Sequence, residues 1–92
     1  MKRFIIERKV PGIGKMTVEE LQAISKTSVA VISILGKPYT WIQSFVTEDT
    51  MYCIHEAENE EDIREHGKCG NFPVHTVEEI IAVIDPTTGS GR

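Results

Sequence analysis

Glu7, Cys53, His55, Glu56, His66, Cys69 and His75 are the side chains with the most distinctive chemistry in this sequence. Together they offer thiolate, imidazole and carboxylate donors, the set that a divalent transition metal accepts. Cys53-x-His55 places two donors on one face of an extended strand, and His66-x-x-Cys69 places two on one side of a helix. Neither spacing repeats at the interval of a zinc-finger pair, so spacing alone defines no metal centre. Glu7 stands apart, because a carboxylate in a central strand needs either a partner or a proton. Simpler roles compete with each donor: Cys53 as a small buried apolar residue, His66 as an exposed histidine at the negative end of a helix, and His75 as a loop residue beside Pro73. Trp41, Phe45 and Tyr52 suit a small-molecule pocket or subunit packing equally well. Gly12-Ile13-Gly14-Lys15 lacks the spacing and the Ser/Thr after Lys of a phosphate loop, and no serine lies at a telling distance from a histidine for a nucleophilic triad.

These residues are positioned by elements with clear local signals. Arg3 to Val10 alternates as a first strand and ends at Pro11-Gly12. Thr17 and Glu20 form a capping-box pattern that opens a helix, and Val18, Leu21, Ile24, Ser25, Ser28, Val31, Ile32 and Leu35 give it one continuous face until Gly36 and Pro38. Tyr39 to Thr47 and Thr50 to Ala57 make a hairpin around Glu48-Asp49. Asn59 caps a second helix to about Lys68, with Glu60, Glu61 and Asp62 at its positive end, and Gly70, Asn71 and Pro73 break it. The HTVEEIIAVI run closes the core as a last strand, and a loose tail follows; the domain spans 1–85 and the flexible C-terminal tail 86–92.

Ninety-two residues make one domain. The net charge of −4 works against a nucleic-acid surface, which needs a basic patch to release counterions. The chain has no apolar run of about 18 residues, so no membrane span is expected; with no export signal, a cytoplasmic protein with two reduced thiols is the default. Strand, helix, strand, strand, helix, strand with right-handed crossovers gives a ferredoxin-like α+β sandwich: a four-stranded antiparallel sheet, strands one and three central, both helices on one face. The open face is expected to be buried in a homodimer. If Thr47 faces Thr50, alternation divides the hairpin. Ile42, Ser44, Val46, Met51, Cys53 and His55 form the helix-covered set, and Trp41, Gln43, Phe45, Tyr52, Ile54 and Glu56 the open set. Pairing Glu7 with Cys53 adds Phe4, Ile6 and Arg8 to the open face, where Arg8 and Glu56 would meet.

The opening FIIER, WIQSFV followed by YCIHEA, the acidic helix start with IREH, the Gly70 to Pro73 step and the closing VIDPTT, taken in that order, resemble a small bacterial family of ferredoxin-like proteins whose characterised type binds nickel. Glu7, Cys53, Glu56 and His66 fit its pattern. The resemblance implies a dimeric ferredoxin-like fold that binds nickel or another divalent transition metal; it carries over no activity. The expected metal donors are Glu7, Cys53, His55 and His66, and the expected ligand-binding residues on the open face are Arg8, Trp41, Tyr52 and Glu56. The rival readings are a cofactor-free dimeric α+β-barrel enzyme, as in monooxygenases of similar architecture, and an interaction module that docks a protein on its open sheet.

Overall fold

Sharp capping and turn signals give the chain the expected order of elements in a computed structural model, which describes residues 1–90. Strand β1 (Lys2–Lys9) leads through a 3-10 turn to helix α1 (Val18–Leu35); strands β2 (Tyr39–Val46) and β3 (Thr50–Ala57) form the hairpin; helix α2 (Glu60–Gly70), strand β4 (Thr76–Glu79) and one helical turn, α3 (Pro86–Gly89), complete it. Thr17 Oγ1 accepts from the Glu20 amide at 3.2 Å while the Glu20 carboxylate accepts from the Thr17 amide at 2.9 Å, so the capping box forms. Asn59 caps α2 by accepting from the Asp62 amide at 2.9 Å. Gly36, at φ 62°, ends α1 in the left-handed region that favours glycine.

The strands order as β2-β3-β1-β4, all antiparallel, which is the ferredoxin-like α+β arrangement. Phe4, Ile6, Tyr39, Met51, Cys53, Ala57 and Ile63 build the core, with Leu21, Ile32 and Leu35 of α1 packed against it. Among the described residues no helix is long and apolar enough to cross a membrane.

Three expectations about which residue faces where are corrected. Near its turn the hairpin keeps the expected register, with Val46 opposite Met51, Phe45 opposite Tyr52 and Ser44 opposite Cys53. A bulge between Trp41 and Gln43 then adds one residue to β2, so Trp41 rather than Ile42 stands opposite His55 and turns to the helix-covered face, while Ile42 becomes exposed. The β1–β3 pairing is offset by one from the expected register: Ile6, not Glu7, faces Cys53, and Glu7 faces Tyr52. The hairpin tip imposes this offset, because Asp49 accepts from Val10 N and Gly12 N and Glu48 accepts from Gly14 N. A one-residue slip exchanges the faces, so Phe4, Ile6 and Arg8 lie buried under the helices. Arg8 therefore makes no pair with Glu56, whose carboxylate instead binds Arg3 at 3.0 Å.

The third correction concerns the last strand, which stops at Glu79 rather than running to Ile84. Phe4 pairs with Glu79 and Ile80 N still donates to Arg3 O at 2.7 Å; in that register Ile81 is level with Lys2, where β1 begins, so only the chain past Ile81 outruns its partner. Val83 and Ile84 extend beyond the sheet, and they and Ile81 are exposed. Within the expected tail, Asp85 caps the α3 turn; residues 91–92 lie outside the described residues.

Candidate functional site

Ser25 and Ser28 interrupt the apolar face of α1 with small side chains, and the sheet beneath them presents Ser44 and Cys53. Too little volume remains to fill the space between helix and sheet. The result is a cavity of about 150 Å³ under α1, with Leu21, Ile24, Val46 and Met51 as its apolar wall. Arg8, Trp41, His55, His66 and Phe72 supply its aromatic and polar wall.

That wall is a stacked assembly. The Tyr39 and His66 rings lie 5.0 Å apart at 15°, and His66 and Phe72 5.6 Å apart at 22°. His55 meets both Tyr39 and His66 edge-on, at 5.3 and 5.2 Å. The guanidinium of Arg8 sits over Phe72, 5.6 Å from its centre. Arg8 Nε donates to Cys53 Sγ at 3.4 Å and Nη1 to Pro73 O at 3.0 Å. Ser44 Oγ accepts from Trp41 Nε1 and donates to Cys53 Sγ, both at 3.0 Å.

Burial decides the protonation of the two histidines. It pushes His55 down to about 3, with the charges of His66 and Arg8 adding to the effect. Burial also lowers His66, against the opposing pull of the Ser28 backbone, and raises the Tyr39 phenol. Both imidazoles are therefore neutral at physiological pH, each with one N–H and one lone pair. Tyr39 Oη has no other acceptor, so it donates to His55 Nδ1 at 2.6 Å and leaves the His55 proton on Nε2. His66 Nε2 lies 3.4 Å from the Ser28 carbonyl, which can only accept, and 3.2 Å from Ser28 Oγ, so Nε2 carries the proton there. His66 Nδ1 is left as a lone pair with no partner, shut away from solvent.

Of the expected metal donors, Cys53, His55 and His66 share this cavity, whereas Glu7 lies on the opposite sheet face, in a depression lined by Ile5, Tyr52, Thr76 and Glu78. Of the expected ligand-binding residues, Arg8 and Trp41 line the cavity on the covered face, and Tyr52 and Glu56 are on the other side of the sheet. Tyr39, Phe72 and the serines of α1 were not among the expected residues. The signal for them was the pair of serines within an otherwise apolar helical stripe, which marks a face that cannot fill its own space. Against a nickel ion the fit is partial. His66 Nδ1 is a suitable donor, but among the described residues no three His, Cys, Asp or Glu side chains converge on one point, and the guanidinium of Arg8 borders the same space.

A family model described as "Nickel responsive protein SCO4226-like" matches residues 4–80. The crystal structure of SCO4226 from Streptomyces coelicolor A3(2) matches with a TM-score of 0.76 and 15% identity, over 89% of this chain and 99% of that one. At that identity the likeness is one of fold. A search of curated proteins gave no match.

Proposed function

This chain belongs to the nickel-responsive SCO4226-like family, and from that premise we propose that it binds nickel or a similar divalent transition metal at the cavity under α1, as a homodimer closed over its open sheet face. His66 Nδ1 carries the reading. A buried lone pair without a hydrogen-bond donor is costly to maintain, by about 1–3 kcal/mol, and a metal ion resolves that cost. The neutral imidazole that burial enforces is also the form that ligates metal without first losing a proton. Cys53 stands on the same wall as a further donor, whereas His55, its Nδ1 accepting from Tyr39 and its Nε2 carrying the proton, has no free lone pair and drops out of the set with Glu7 on the far face. Because three protein donors do not converge, the remaining coordination positions fall to water or to small ligands that enter with the ion.

Calorimetric titration of the metal-free chain with nickel tests this. Saturable binding is expected, weakened roughly tenfold or more in His66→Gln, the scale on which lost support weakens a metal site. An absent nickel response, or equal affinity in His66→Gln, removes the reading.

A further inference from the structure

Arg8 is 3% exposed, yet none of the ion pairs among the described residues includes it. Its Nε and Nη1 reach a sulfur and a backbone carbonyl, its face rests on Phe72, and Nη2 meets no acceptor among the described residues. A cation taken this far out of water without a carboxylate is costly by several kcal/mol unless something else compensates. The N–H at His55 Nε2, fixed there by Tyr39, is a second donor on the same cavity wall without an acceptor. Across the cavity from the sheet, Leu21 and Ile24 of α1 offer only apolar surface, and Val46 and Met51 add apolar surface beside Arg8. A guest that satisfies both walls is an anion at one end and a hydrocarbon at the other.

We propose that the cavity under α1 binds a small organic carboxylate, its charged end on Arg8 and the His55 Nε2–H, its apolar end against the helix. The volume sets the size: about 150 Å³ matches an engineered apolar cavity of roughly 150 Å³ that admits benzene, so a single ring or a short branched chain fills it. The site shares its cavity with the proposed nickel donors but needs no metal. The two ligands are compatible, since an anion on Arg8 offsets the charge that would otherwise repel a cation at His66.

The test is calorimetric titration of the full chain with benzoate in the presence of a chelator, with benzyl alcohol as the uncharged counterpart. Benzoate binds saturably and shifts the indole N–H resonance of Trp41, the one tryptophan in the chain. Benzyl alcohol binds roughly 10- to 100-fold more weakly, the range of a lost charge-assisted hydrogen bond. Arg8→Met, which removes a buried charge at little cost in stability, reduces benzoate affinity by the same range. Ser25→Leu fills the cavity without touching Arg8 and abolishes binding of both compounds in a chain that still melts cooperatively. Absence of saturable benzoate binding to the wild-type chain overturns the proposal, as does benzyl alcohol binding as tightly as benzoate. Because the chelator holds the protein metal-free, failure of the nickel titration leaves this result standing, and the reverse.

Discussion

His55 and His66 make the cavity wall a pH-sensitive part of the fold. Burial holds both below the ordinary histidine value of 6.5, His55 down to about 3. In the unfolded chain they titrate normally, so between pH 6.5 and about 3 the unfolded state binds a proton that folded His55 does not. Stability is thus full above pH 6.5 and falls as the pH drops through that window, by up to ~1.4 kcal/mol per pH unit from His55. Urea unfolding at about pH 7 and about pH 5, a range above most carboxylate titrations, should show the loss, and His55→Gln should flatten it; an unchanged slope in that variant would show that some other group is responsible. His66 shows what residue-level reading can and cannot find. Its place near the end of an acidic helix suggested exposure, but Ile63 and Gly67 share its side of α2, and that stripe of bulk and absence of bulk turns the ring inward.

At the level of elements, Gly67 sets how closely α2 approaches the loop that holds Arg8. A Cβ there would stand 2.6 Å from Val74 Cγ2 and 3.2 Å from Phe72 O. Alanine gains about 1 kcal/mol of helix propensity over glycine, but overpacking of this kind costs about 1–3 kcal/mol, and the backbone contact gives little room to relax. Gly67→Ala is therefore expected to be net destabilising in chemical denaturation; a variant as stable as wild type would mean that the loop yields. Local signals of this scale were the legible ones. Thr17, Glu20, Asn59 and Gly36 mark their helix ends, and the two-residue connection at Glu48-Asp49 fixes the hairpin near its turn. Registers set at a distance were not legible. The bulge beyond Trp41 has no glycine or proline to announce it, and the β1–β3 offset depends on Asp49 reaching Val10 and Gly12 across the sheet. Those two slips alone carried Arg8 and Trp41 from the open face into the cavity, so the chemistry of the site was readable as residue types and its location was not.

For the whole molecule, the open sheet face and the segment after β4 pose one problem. Ile5 and Phe45 are exposed on that face, and Ile81, Val83 and Ile84, after the end of β4, are 71–85% exposed. An extended apolar segment with unpaired backbone groups beside an open sheet is a template for another chain, and a small domain gains most by using it for a defined partner rather than for aggregation. In the proposed homodimer a second copy of this chain would supply both complements at once: its own open face to cover Phe45, and strand or sheet surface to receive Ile81, Val83 and Ile84. Glu7, near Tyr52 and Glu78 of its own sheet, would then lie inside that dimer. Sedimentation equilibrium at micromolar concentration should return twice the chain mass of 10.3 kDa. Phe45→Glu, which places a charge on the edge strand of that face, should shift the equilibrium toward monomer without lowering the helical content, as should truncation after Ile80. A wild-type chain that sediments as a single copy would show that this apolar surface is tolerated in water, and the homodimer would have to be abandoned while the cavity, built from one subunit alone, remained.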